Sequence, residues 1–312
     1  MGKPLRPFFF FLVIIIHAIW EPRLTIEAAL SACKNKCGSL EIQYPLGSGP
    51  GCGSPRFESS ISCSPSNDQL LLTTHTGSYP VTSISYAAST LTVVPPLMST
   101  CAAMHSSPNF GLDWSSPFQP GPSLFLLLAC STSAPSLTYK GTPLCDPINA
   151  HLCSALYTCP SVTSLGLPLF SPSNSCCAYS PANLGPHGDL DVQGLRCAGY
   201  TSLVSLGDVP TDPTRWEYGI VLKFGLGGVD SYNFAVACQV CQRSSGICGY
   251  APPRNNFVCV CQNGVNTSSD CNGQAPIWNR AATHRPNYLL GFSLHGCSWW
   301  VMILGLSFFL FK

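Results

Sequence analysis

The chain has 312 residues, of which only 9% are charged, and its formal net charge is +1 at pH 7. Between Cys33 and Cys271 there are nine Lys or Arg residues and twelve Asp or Glu residues, a net charge of −3. Nucleic-acid binding depends on clustered cations that neutralise phosphates. Because no such cluster is present, the composition argues against a nucleic-acid partner.

The N-terminus has the layout of a secretory signal peptide. Lys3 and Arg6 precede an apolar run over residues 8–20, which is short for a membrane span and is closely followed by polar residues. Small residues near Ala29 and Ser31 fit a cleavage site. The sequence therefore predicts that residues 1–31 are a signal peptide and that the protein is secreted.

The cysteines predict a disulfide framework. Of 19 cysteines, Cys297 lies in the apolar tail and 18 lie between Cys33 and Cys271, an even number in a chain directed to an oxidising compartment. Their order leaves the connectivity open. The disulfide candidates are Cys33, Cys37, Cys52, Cys63, Cys101, Cys130, Cys145, Cys153, Cys159, Cys176, Cys177, Cys197, Cys238, Cys241, Cys248, Cys259, Cys261 and Cys271.

No metal site and no cofactor are predicted. A zinc site built from Cys238-x-x-Cys241 and Cys259-x-Cys261 is disfavoured, because the second spacing is tighter than in usual zinc knuckles and the compartment favours disulfides. The histidines lie in unrelated contexts and no nucleophile elbow is present. The sequence therefore predicts a protein that is not an enzyme and has no catalytic residues.

The fold is predicted to be mainly β, with small disulfide-rich modules and many loops. Gly, Pro and Ser separate short runs of β-favouring residues, and no amphipathic helix of convincing length is evident. These runs are residues 40–44, 70–74, 81–86, 91–94, 218–224 and 257–261. The predicted organisation is a first Cys-rich module at 32–130, a second at 131–271 and a spacer at 272–287.

The C-terminus ends in a hydrophobic tail over residues 288–312. Two readings compete, a removed signal for a glycosylphosphatidylinositol (GPI) anchor and a retained transmembrane span. A retained span normally has more cations on its cytoplasmic flank than the single Lys312, which favours the lipid anchor. Either reading predicts attachment to the plasma membrane.

The N-terminal module carries three elements in one order within about thirty residues. They are the pair Cys33 and Cys37 with Gly38, the run Ile42-Gln43-Tyr44-Pro45-Leu46-Gly47, and the run Cys52-Gly53-Ser54-Pro55-Arg56-Phe57. This arrangement resembles the galacturonan-binding module of plant wall-associated receptor kinases. The departure is Leu46, which stands where that family usually has Phe.

The second module also carries three cysteine-containing elements. They are Cys238-Gln-Val-Cys241, Ser245-Gly246-Ile247-Cys248-Gly249-Tyr250 and Phe257-Val-Cys259-Val-Cys261. They resemble the C-terminal Cys-rich region of the same receptors, with Ser245 in place of a Gly. About forty residues follow Cys271, too few for a kinase domain, so we expect an anchored binding protein rather than a receptor that signals by itself.

The resemblance implies a ligand rich in carboxylates and hydroxyls. Binding such a polymer requires cations, amide or hydroxyl groups and aromatic faces. The ligand-binding candidates are Lys34, Lys36, Tyr44, Arg56 and Phe57. The alternative is that the lysines are solvated surface charges and the aromatic residues belong to the core. Asn266 begins an Asn-Thr-Ser sequon, which predicts glycosylation of an exposed loop.

These observations predict an extracellular pectin-binding or galacturonan-binding protein that links or senses the plant cell wall. The alternative is a co-receptor or apoplastic defence module that binds a protein or peptide and has no affinity for polysaccharide. The expected partners are cell-wall pectin, a signalling partner in the membrane and, through the tail, the plasma membrane. The expected location is the cell wall and the outer face of the plasma membrane.

Overall fold

The computed structural model describes residues 33–272, apart from residues 67, 114, 132–136, 140, 180–188, 226–229 and 263–264. Within these residues, nineteen strands form six sheets, and every pairing is antiparallel. The predicted mainly β class is therefore confirmed. The predicted signal peptide, most of the spacer and the tail lie outside the described residues, among which no helix has the length and apolarity to cross a membrane.

The largest sheet has six strands, which are given next in their spatial order. Its strands are β3 (Ile61–Cys63), β4 (Leu70–Thr74), β5 (Gly77–Ser85), β6 (Thr90–Val93), β16 (Ile220–Phe224) and β8 (Phe118–Pro120). Successive side chains of a strand point to opposite faces, and Leu70 and Leu72 are accordingly buried while Thr73 is exposed. The buried face contributes to the first hydrophobic core.

A four-stranded sheet separates the first core from a second one. Its strands, in spatial order, are β12 (Cys177–Tyr179), β9 (Leu124–Leu128), β14 (Gly199–Ser205) and β15 (Glu217–Tyr218). In β9, Phe125 and Leu127 belong to the first core, whereas Leu126 and Leu128 belong to the second. The helix α1 (Ala150–Leu156) completes the second core. Burial on both faces explains why β9 is apolar at every position.

The remaining strands form four small sheets. They are β1 (Lys36–Cys37) with β2 (Leu40–Glu41), β7 (Phe110–Gly111) with β13 (Asp189–Leu190), β10 (Thr138–Tyr139) with β11 (Thr142–Pro143), and β17 (Ile247–Ala251) with β18 (Asn256–Val260) and β19 (Asn266–Thr267). Short 3₁₀ helices span Pro55–Phe57, Pro160–Leu165, Ser173–Ser175 and Pro213–Arg215. The many short elements match the expected loop-rich modules.

A second helix, α2 (Asp230–Arg243), is absent from the sequence prediction. Its apolar side chains do not form a single buried stripe, because Tyr232, Val236 and Val240 lie on the exposed side of the helix. The buried side is defined by Cys238 and Cys241, which lie one helical turn apart and form disulfides with the adjacent sheet. Disulfides therefore hold a helix that the hydrophobic pattern alone does not indicate.

All 18 cysteines between Cys33 and Cys271 form disulfides, which confirms the predicted framework. The pairs are Cys33–Cys52, Cys37–Cys63, Cys101–Cys159, Cys130–Cys197, Cys145–Cys177, Cys153–Cys176, Cys238–Cys248, Cys241–Cys259 and Cys261–Cys271. The pairs fall into three groups along the chain. The predicted division between residues 130 and 131 stays a prediction, and two disulfides of the middle group join the residues on either side of it.

Candidate functional site

A cleft of about 900 Å³ lies beside the N-terminal hairpin. Residues 33–36 and 41–44, which we call the lysine segment, supply part of its lining together with residues 46–48, 52 and 53. The rest comes from a distant part of the chain, namely Gln242, residues 245–248 and Gln262, which we call the glutamine segment. The volume falls within the usual range for ligand sites.

The lysine segment presents two cations, each beside its own carboxylate. The Nζ atom of Lys34 lies 3.5 Å from Oδ1 of Asp68, and the Nζ atom of Lys36 lies 3.8 Å from Oε1 of Glu41. All four side chains are about 60% exposed. The turn at Gly38 fixes this arrangement, because a Cβ there would lie 2.6 Å from the backbone oxygen of Asp68. Exposed ion pairs of this kind are weak and exchangeable.

The glutamine segment is held by the disulfides of the C-terminal group. Gln242 lies in the last turn of α2, and the chain then turns through Ser245, whose φ is +62°, into β17. Gly246 lies where a Cβ would contact the sulfur atoms of Cys241 and Cys259. Gln262 directly follows disulfide-bonded Cys261. These covalent links fix the backbone from which both amide side chains extend.

Backbone contacts join the two parts of the lining. The amide of Gly53 donates to the carbonyl of Cys248 at 2.7 Å, and the amide of Tyr250 donates to the carbonyl of Gly51 at 2.9 Å. Between these bonds, a Cβ on Gly249 would lie 2.4 Å from the same Gly51 oxygen. Glycine is therefore required here for the close approach of the two chain segments.

An aromatic cluster connects the cleft lining to α2 and β18. Tyr44 lies in the cleft lining and stacks on Phe234, with ring centroids 5.5 Å apart and planes inclined by 18°. Phe234 in turn contacts Phe257 edge to face, with centroids 5.1 Å apart. Partial burial raises the pKa of Tyr44, so its hydroxyl stays protonated and able to donate at neutral pH.

The structure brings together three of the five ligand-binding candidates. Lys34, Lys36 and Tyr44 line the cleft. Arg56 is exposed in the 3₁₀ helix Pro55–Phe57, outside the cleft lining. Phe57 is only 1% exposed and contacts Phe118 and Phe224 edge to face. It belongs to the first core, where its ring is inaccessible to a ligand.

The predicted glycosylation site also occupies an unexpected place. Asn266 lies in β19 and is 9% exposed, and Thr267 of the same sequon is 2% exposed. The Oδ1 atom of Asn266 has no hydrogen-bond partner among the described residues. The sequon is thus part of a sheet and not of an exposed loop, because its residues pair with Cys259 and Val260. Glycosylation of Asn266 stays a prediction.

Sequence reasoning missed the glutamine segment. Gln242 and Gln262 are exposed amides in a Cys-rich region, and no pattern in the sequence distinguishes them from ordinary surface residues. The cysteines considered as zinc ligands are Cys238, Cys241, Cys259 and Cys261, and all four are joined in disulfides. Their sulfur atoms are therefore not available as thiolates.

The fold and cleft define a class of protein: a disulfide-rich, mainly β protein with a polar cleft. The family model described as "Wall-associated receptor kinase galacturonan-binding" matches residues 33–95, and the model described as "Wall-associated receptor kinase C-terminal" matches residues 206–264. These two regions of the chain are therefore similar to the extracellular regions of wall-associated receptor kinases that the two models describe. The lysine segment lies in the first matched region and the glutamine segment in the second.

A similar protein has a related name. Wall-associated receptor kinase-like 20 of Arabidopsis thaliana is 27% identical over 203 residues. The matched residues cover 62% of this chain and 28% of that relative, so the chain spans less than a third of the relative's length. No solved structure matches the chain.

Proposed function

We propose that this protein binds de-esterified galacturonan, the acidic polymer of pectin, in the cleft. The observation that carries the proposal is that Lys34, Lys36 and Tyr44 line one cleft within the residues that match the galacturonan-binding family model. The lysines supply cations for the carboxylates of the polymer, and the Tyr44 hydroxyl supplies a hydrogen-bond donor. Galacturonan presents many equivalent carboxylates, so a short stretch of it suits such a site.

The proposed affinity for one cleft is modest. Exposed ion pairs contribute about 0–1 kcal/mol each, and each lysine must exchange its own carboxylate partner for one from the ligand. Repeated engagement along a polymer raises the apparent affinity without new contacts. The protein is then suited to hold a wall polymer close to the cell surface, either as a tether or as a sensor that acts through a membrane partner.

The proposal includes a location and the absence of catalysis. Both matched families are named for wall-associated receptor kinases, which supports placement in the cell wall at the outer face of the plasma membrane. The predicted hydrophobic tail supplies the attachment. We propose a binding protein and not an enzyme, since Glu41 is the one carboxylate among the described residues of the cleft lining, whereas glycoside hydrolysis uses a pair of acids.

The test compares two charge-matched double variants of the full chain, purified in mild detergent. Lys34→Gln with Lys36→Gln removes the cleft cations, and Lys223→Gln with Arg254→Gln removes two exposed cations outside the cleft lining. Retention on de-esterified polygalacturonate is measured at low and high salt. We expect the first variant alone to lose retention.

Two results would contradict the proposal. Equal loss in both variants would indicate nonspecific charge attraction and not a site. Absence of retention in the unaltered protein would exclude polysaccharide binding. The protein- or peptide-binding co-receptor would then be the better hypothesis. Thermal unfolding of each variant checks that the fold is retained.

A further inference from the structure

The two parts of the cleft lining differ in charge. The lysine segment contains Lys34, Lys36 and Glu41, whereas the glutamine segment contributes no charged residue. Its polar groups are the amides of Gln242 and Gln262 and the hydroxyl of Ser245. We propose that the glutamine segment recognises the hydroxyl groups of the sugar, so that the cleft distinguishes a uronic acid polymer from other polyanions. This inference rests on the proposed function.

The chemistry of an amide side chain suits a sugar hydroxyl. Each glutamine offers two N–H donors and one carbonyl acceptor, while each hydroxyl both donates and accepts. Gln242 and Gln262 are exposed, and no hydrogen bond joins either side-chain amide to the described part of the chain. A ligand can therefore bind both amides without displacing a hydrogen bond to the described residues.

Disulfides restrain the backbone of the glutamine segment before a ligand binds. Cys241, the residue before Gln242, is tied to Cys259, and Cys261, the residue before Gln262, is tied to Cys271. The Sγ atoms of Cys259 and Cys271 lie only 3.6 Å apart, so the two disulfides are in contact. A backbone held in this way loses less conformational entropy when it binds.

The two segments are also fixed relative to each other. The isolated bridge between Cys52 and Gly249 connects the N-terminal loop to β17, and Tyr44 of the lysine segment stacks on Phe234 of α2. A sugar chain in the cleft then meets cations on one part of the lining and neutral amides on another. The region matched by the C-terminal family model thus contributes directly to recognition.

The division of labour predicts different responses to salt and to ligand chemistry. Ionic strength screens contacts between exposed charges but has little effect on hydrogen bonds between neutral groups. Removing the lysines should therefore abolish the salt-dependent part of binding. Removing the amides should instead abolish the preference for a polymer that carries hydroxyls.

The experiment compares two polyanions, polygalacturonate and poly-L-glutamate, of which the second has carboxylates but no hydroxyls. The full chain is compared with the variant Gln242→Ala with Gln262→Ala. The control is Gln239→Ala with Gln193→Ala, which removes two exposed amides outside the cleft lining. We expect the unaltered chain and the control to prefer polygalacturonate. The cleft variant should bind it about tenfold more weakly, since two hydrogen bonds are lost, with binding to poly-L-glutamate unchanged.

The outcomes separate this inference from the proposed function. If the cleft variant keeps both affinity and preference while the double lysine variant loses binding, the inference is wrong and the proposed function stands. Equal binding of the unaltered chain to both polymers would likewise overturn the inference, because charge alone would then explain recognition. If the unaltered chain binds neither polymer, the proposed function itself fails.

Discussion

The two carboxylates that pair with the cleft lysines provide the sharpest test of the electrostatics of the cleft. Asp68 and Glu41 lie beside Lys34 and Lys36, so they compete with the carboxylates of any acidic ligand. The change Asp68→Asn with Glu41→Gln removes this competition and keeps the shape of each side chain. Asparagine also tolerates the left-handed backbone at position 68, where φ is +52°. We expect the variant to bind polygalacturonate more tightly than the unaltered protein.

The magnitude follows from the geometry of the two pairs. At N–O distances of 3.5 and 3.8 Å and about 60% exposure, each pair is worth about 0.5 kcal/mol. Releasing both lysines then contributes about 1 kcal/mol to ligand binding, which is roughly a fivefold lower dissociation constant. The gain should shrink at high salt, because the screening length falls from about 10 Å at 0.1 M to about 3 Å at 1 M.

The assay is calorimetric titration with galacturonate oligomers at low and high salt. The control, Asp208→Asn with Glu217→Gln, produces the same change in net charge at exposed positions outside the cleft lining. Asp208 also pairs with Arg215 at 2.7 Å, so the control releases a cation as well. An equal gain in the control, or no gain in the cleft variant, would refute the idea that these carboxylates occupy the ligand's place.

Three further predictions concern stability. Gly249→Ala places a Cβ 2.4 Å from a backbone oxygen and should cost about 1–3 kcal/mol, seen as a lower thermal midpoint together with weaker polymer binding. Phe57→Ala should cost about 3–5 kcal/mol in urea unfolding with the disulfides intact, because the ring is 1% exposed. Burial raises the pKa of Tyr218 to about 12, so its contribution to stability is complete below pH 10 and is lost as the pH rises to 12. Tyr218→Phe should make alkaline unfolding less steep.

Each stability prediction has a matched comparison. Gly225→Ala should leave the thermal midpoint unchanged, since no atom of the described residues lies within 4 Å of a Cβ at that position. Phe170→Ala should have little effect, because Phe170 is 73% exposed. A small loss in the free energy of unfolding for Phe57→Ala, combined with lost polymer binding, would indicate that Phe57 contacts the ligand. Identical alkaline profiles with and without the Tyr218 hydroxyl would show that other groups govern that transition.

The sequence was sufficient for features that depend on local pattern or on counting. The short runs of β-favouring residues, the even number of cysteines and the spacing of the two Cys-rich motifs indicated the fold class, the disulfide framework and the family resemblance. The two lysines and Tyr44 could be proposed as ligand contacts because they adjoin the N-terminal motif. Phe57 was ambiguous for a physical reason, since an aromatic ring serves equally well in a core and on a sugar-binding surface.

The tertiary structure decided what depends on contacts between distant residues. Phe57 lies in the core because β8 and β16 bring Phe118 and Phe224 against it. Helix α2 was not predicted from the sequence because disulfides, and not an apolar stripe, hold it in place. The cleft itself required the close approach of Gly51 and Gly249, nearly two hundred residues apart in the chain. Local sequence specifies the lysine segment, but only the folded chain places the glutamine segment beside it.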